Sequence, residues 1–136
     1  MSPKKLDTKV ADKAWGKGRL EVGWKYHEIA ELTAEEGGAG INVCVGLCVL
    51  AGIAASDTIS AYAIGERYSG SNHQDAASFL KGIDSAAGAS LLKLVGLKPK
   101  AHYGAGLLTD KDRAMALRTA TSLLEAAQKR VSPAPR

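Results

Sequence analysis

Ile41-Asn-Val-Cys-Val-Gly-Leu-Cys-Val-Leu-Ala-Gly-Ile-Ala-Ala55 is apolar almost without a break. It shows no alternation, and a run with no polar face reads as a helix enclosed by neighbours. Gly46, Gly52, Ala54 and Ala55 leave room for other backbones to come close. This helix is expected to extend from Ile41 or Asn42 to Arg67 or Tyr68 and to form the centre of the fold. Its most apolar part, Val43 to Ala55, falls short of the roughly 20 residues that cross a bilayer. The expectation is a buried helix and no membrane partner. Cys44 and Cys48 sit four apart on one of its faces. Two such thiols form neither a disulfide framework nor a four-ligand zinc site, and they read as small core side chains in a reducing cytoplasm.

Working outward, the segment before this helix contains a second helical pattern. It starts at Asp12 or Lys13, with Trp15, Val22, Tyr26 and Ile29 as its apolar face and Leu20, Trp24 and Leu32 widening it. Gly16, Gly18 and Gly23 weaken it, and Gly37-Gly38 ends it. His27 lies at the edge of that face and reads as a packed, hydrogen-bonded histidine. Residues 1–12 are Lys-rich and polar, and are expected to be a flexible basic arm. Met-Ser-Pro-Lys-Lys lacks the apolar stretch of a secretory signal, so a cytoplasmic location is expected.

After the central helix, Ser69 to Asn72 read as a turn. Ser71 with Gln74 fits a capping box, and Asn72 with Asp75 is the alternative cap. A third helix is expected to carry Ala76, Leu80, Ile83, Ala87, Leu91 and Leu94 as one core stripe. Gly96, Pro99 and Gly104 leave a short helical turn over Leu97 to Tyr103. Thr109 caps a last helix, with Asp110 and Asp112 in its first turn and Leu117, Ala120, Leu124, Ala127 and Val131 as its seam. No strand pattern is evident. The expected fold is therefore all-α, an up-and-down four-helix bundle with a short extra helical turn before the last helix. The domain spans 13–131, and 132–136 form a flexible tail.

Composition agrees with one such domain. The chain has 136 residues, enough for one core, and its 46% hydrophobic but 5% aromatic content suits closely packed helices better than a β-sandwich. A net charge of +4 permits a polyanionic partner without requiring one. Walker A, GxGxxG, HExxH and Gly-x-Ser-x-Gly patterns are absent, and no His has a Glu three residues before it, as a di-iron bundle needs. No metal or cofactor is expected.

The chemistry concentrates at Ala63-Ile-Gly-Glu-Arg67-Tyr-Ser-Gly-Ser-Asn-His73. Arg67 offers forked donors suited to phosphate oxygens. His73, in the first turn of a helix, meets the positive end of the helix dipole, which disfavours imidazolium and leaves a neutral base. Backbone N–H groups around Asn72 to Asp75 are further candidates for holding an anion. Ser56, Asp57, Ser60 and Arg67 put polar atoms along one side of the central helix, as a groove wall, a subunit contact or a solvated strip. Lys98, Lys100, His102 and Tyr103 make a second polar cluster for phosphate contact or base stacking, although Tyr103 reads first as packing under the last helix. The Arg–His corner also fits ordinary helix-end chemistry, so residue types alone leave it open.

Arg67-Tyr-Ser-Gly-Ser-Asn-His73, an Arg-x5-His pattern across a turn between helices, resembles the HEPN superfamily. Ala-Ala-Ser-Asp57, Gly65-Glu-Arg67, Gly70, and Lys98-Pro-Lys-Ala-His-Tyr103 before a capped last helix are similar to small stand-alone bacterial members. The resemblance spans roughly 15–131. It implies a homodimer with paired Arg67–His73 sites facing a cleft, and a metal-independent endoribonuclease of a toxin–antitoxin or defence system, with RNA or a nucleotide as ligand and a cognate antitoxin protein as a possible partner. By that resemblance Arg67 and His73 are catalytic. Asn72, Asp57, Ser60, Lys98, Lys100, His102 and Tyr103 are the further binding candidates that residue type and placement offer. Other members are non-catalytic modules that bind a nucleotide or a protein. The family's ribonucleases usually carry Asn, Asp or His directly after the Arg, where this chain has Tyr68.

Overall fold

The computed structural model describes residues 6–103 and 108–133, the side chains of residues 102 and 103 excepted. The protein is mainly helical. Strand β1 (Thr8–Val10) precedes helices α1 (Lys13–Leu32) and α2 (Ala39–Ile64). Strand β2 (Glu66–Tyr68) leads to α3 (His73–Ile83), α4 (Ser85–Val95), the short α5 (Lys98–Tyr103) and α6 (Asp110–Val131).

Helix α2 is the centre, as its composition requires. Val45, Cys48, Val49, Ala51, Ala55 and Ile59 are fully enclosed, by α1 and α6 above all. At 26 residues α2 is long and apolar enough to cross a membrane, longer than the apolar run alone suggested, but 61% of its most apolar stretch is buried inside the protein. That burial is what a core helix shows. Burial also pushes the Cys48 thiol far above its ordinary range, so it stays protonated and unreactive.

The face that α1 buries differs from the one expected. Gly16, Leu20, Gly23, His27 and Ala30 point inward, whereas Val22, Ile29 and Leu32 are exposed. The glycines that weaken α1 as a helix are what let it pack. A Cβ at Gly16 would lie 2.9 Å from that of Ala61, and one at Gly23 would lie 3.2 Å from that of Ala54. Thr58 Oγ1 donates to the Gly16 carbonyl at 2.7 Å across the same seam.

Two further expectations are corrected. The single third helix is two helices, because Asp84 ends α3 through its N–H on the Leu80 carbonyl (2.8 Å) and starts α4 by accepting from the Ala87 N–H (3.0 Å). The apolar spacing continues across Asp84, so periodicity alone does not register the break. The arm over 1–12 is not loose over its described part, since β1 pairs antiparallel with β2, Lys9 opposite Arg67. Three-residue strands are too short to display alternation. Residues 1–5 of the arm and 134–136 of the tail lie outside the described residues.

Candidate functional site

The site is built where α2 stops. Gly65 takes a left-handed conformation (φ 69°) and its N–H returns to the Ala61 carbonyl, a helix ending that glycine adopts at least cost. The chain then pairs with β1 rather than prolonging the helix. Ala11 N–H donates to the Gly65 carbonyl and Ser69 N–H to the Asp7 carbonyl, both at 2.9 Å. Arg67 is therefore a strand residue fixed by the N-terminal segment, not the last turn of α2. Its guanidinium lies over the Trp15 ring, 5.2 Å from the ring centre, within cation–π range.

His73 is the first residue of α3. The cap is Asn72, whose Oδ1 accepts from the Gln74 and Asp75 N–H groups at 2.9 and 3.1 Å. The Asn72 N–H itself donates to the Tyr68 hydroxyl at 3.2 Å, and the Ala76 N–H to the Asn72 carbonyl. Most of the N–H groups expected to hold an anion are thus engaged within the turn. The Asn72 side chain acts as a cap, and Tyr68 closes the turn over Gly70 while packing near Phe79.

Ser56, Asp57, Arg67, Tyr68 and His73 line one cavity of about 180 Å³, with Ile53 and Leu91 among its apolar walls. Asp57 is paired with Arg19 (Nε to Oδ2, 3.0 Å). Burial pushes its carboxyl above the usual range, against the opposing pull of Arg19 and, more weakly, Arg67. A carboxyl raised in the folded state favours folding below its unfolded pKa, and that contribution is lost as pH rises through the folded value. Asp57→Asn is accordingly expected to gain melting temperature relative to the native chain as pH increases from about 3 to about 7. Parallel melting curves across that range would contradict this.

From the other side, Lys98 reaches His73, its Nζ 2.5 Å from Nε2. An ammonium only donates, so Nε2 accepts and the ring proton is assigned to Nδ1. Of the sequence candidates, Arg67, His73 and Asp57 share one cavity and Lys98 contacts it through His73. Ser60 does not join them. It is 1% exposed and its hydroxyl donates to the Asp57 carbonyl. Lys100 is exposed, its carbonyl accepting from the Asn42 side chain at 3.3 Å. The side chains of His102 and Tyr103 lie outside the described residues. Trp15 and Arg19 were missed, although their spacing of one helical turn puts both on the face of α1 that meets the end of α2.

A larger depression lies elsewhere, an open groove of about 610 Å³ between α1 and α6 that His27 borders. His27 Nε2 is 2.7 Å from Thr121 Oγ1, Nδ1 is 3.3 Å from Glu31, and Trp24 packs edge-on to the ring. Both nitrogens are engaged, as a packed histidine requires. Among the described residues no three metal-ligating side chains converge.

Fold and site together define a mainly helical protein with an Arg–His pair at a helix–strand–helix corner. No protein-family model, curated protein or solved structure matches this chain.

Proposed function

We propose that this chain is a HEPN-like protein that binds RNA or nucleotide phosphate at Arg67 and His73 and cleaves RNA there without a metal. The observation that carries the reading is that Arg67 and His73, from different elements, line one cavity beside Lys98. In this reading α1, α2, the bent α3–α4 arm and α6 are the four helices of a HEPN-like bundle. Arg67, placed over the Trp15 ring, binds two phosphate oxygens and offsets charge as the phosphorus becomes pentacoordinate. A phosphate draws the Lys98 ammonium to itself and frees His73 Nε2. That nitrogen takes the 2′-hydroxyl proton and the 2′-oxygen bonds to phosphorus. The bond from phosphorus to the 5′-oxygen breaks, the leaving oxygen taking a proton from water to give a 5′-hydroxyl and a 2′,3′-cyclic phosphate.

A homodimer belongs to the same reading. Val43, 53% exposed, and the half-buried Leu47, Leu50 and Ile53 form an apolar stripe along α2 that ends at the cavity. A second copy on that stripe sets two Arg67–His73 sites side by side. Cytoplasmic toxin or defence activity, with a protein antitoxin as partner, follows from the resemblance alone.

A second reading, a non-catalytic module binding a nucleotide, is favoured by two contacts: Lys98 occupies the accepting nitrogen of His73, and Tyr68 consumes the Asn72 N–H. Both readings require phosphate recognition. A short fluorescent RNA is expected to bind at low salt, to weaken as salt rises, and to bind Arg67→Ala at least about tenfold more weakly. Equal affinity for the variant and the native chain would sink the assignment.

A further inference from the structure

We propose that the cavity on the far side of His73 is a nucleobase subsite, which makes the ligand a nucleotide unit of single-stranded RNA or a free nucleotide rather than phosphate alone. The proposal rests on the phosphate reading above. His73 borders two cavities: the one shared with Arg67, and a second of about 260 Å³ between the start of α3, the end of α4 and the start of α5. The second is walled by Gln74, Leu92, Val95, Lys98 and Pro99.

Its size and chemistry select the ligand. The volume lies just below the roughly 300–1,000 Å³ typical of pockets for whole drug-sized ligands, so it takes one ring system and leaves the remainder of a nucleotide outside. Leu92 is 51% exposed. A large aliphatic side chain left that open beside Pro99 offers an apolar ledge that can take the face of a base out of water. Gln74 is exposed at the rim, and its amide carries both a donor and an acceptor, as the edge of a base requires. Lys98 Nζ, 2.5 Å from His73 Nε2, lies against the residue that both cavities share and is where a phosphate on the sugar of that base meets a cation. Sugar and base on one side of the His73 ring, and phosphate at the ring itself, reproduce the order of groups in a nucleotide.

The test compares AMP with ribose 5-phosphate by calorimetry on the full chain and on Leu92→Asp, with the melting temperature recorded for each. Native protein is expected to bind AMP about tenfold more tightly than ribose 5-phosphate, since covering one face of a base on aliphatic side chains takes apolar area out of water worth about that factor. Leu92→Asp is expected to lower AMP binding to the ribose 5-phosphate level and to leave ribose 5-phosphate unchanged. Leu92→Ala, a milder change at the same exposed position, is expected to fall between them and serves if the aspartate variant does not fold. Equal binding of the two ligands by native protein overturns the base subsite and leaves the phosphate site standing. Absence of binding by both overturns the phosphate reading and the subsite with it. Unchanged AMP affinity in Leu92→Asp with altered self-association assigns Leu92 to a protein contact and also overturns the proposal.

Discussion

RNA incubated with the purified protein in EDTA is expected to be cut to fragments ending in 2′,3′-cyclic phosphate, and His73→Ala is expected to slow cleavage by about 100-fold or more. The magnitude follows from the proposed role. Removing a positioned base leaves the 2′-hydroxyl protonated, while Arg67 still holds the phosphate. His73→Gln separates the base from its structural contact, because the glutamine carbonyl can still accept from Lys98 but does not take a proton. It is expected to be as slow as alanine in cleavage while keeping RNA affinity within a few-fold of native. Equal cutting by all three proteins points to a contaminating nuclease and removes the catalytic claim. Binding without cutting by any of them selects the non-catalytic reading.

The second large effect is on stability. Gly88→Val is expected to destabilise the fold by about 3 kcal/mol, lowering the melting temperature by roughly 10 °C. Helix α4 folds back on α3 at Asp84, and Gly88 lies so close to Lys81 that an added Cβ would be 2.5 Å from the Lys81 backbone nitrogen. Backbone does not yield as the end of a flexible side chain does, so the two helices must separate. Their separation also moves His73, at the start of α3, away from Leu92, near the end of α4. Gly82→Ala is the control. No atom outside its own helix lies within 4 Å of a Cβ there, and alanine favours the helix, so its melting temperature is expected to stay level or rise. A Gly88→Val protein that melts with the native chain would show that α3 and α4 do not pack as described.

Much of the frame was legible because its signals are local. The cap at Thr109 acts within one turn and stands where it was read, and of the two caps offered at the next turn, Ser71 and Asn72, the structure uses Asn72. The apolar run of α2 stated its own burial. Other features were hidden for equally physical reasons. Glycine carries two opposite meanings in a helix, and only the partner's position decides that Gly16 and Gly23 mark a contact rather than a flaw. Val22 and Ile29 kept a helical spacing but faced away from α2, so spacing identified the helix and not its buried side. Asp84 is a break that ordinary apolar periodicity runs straight through.

The corner between Arg67 and His73 divides in the same way. Sequence alone determined that a fixed cation and an imidazole stand across a turn with five residues between them, and that Asn72 is available to start the following helix. Those facts depend on neighbouring residues and on backbone chemistry within a few ångströms. Tertiary structure decided the rest. It turned Arg67 from a helix end into a strand residue, because β1, some 58 positions away in sequence by its Thr8–Glu66 bond, supplies the pairing. It set Trp15 against Arg67 and Arg19 against Asp57, and brought Lys98 to His73. Contacts between distant residues depend on which helix faces pack together, and that choice is made by the whole core rather than by any one stretch of chain.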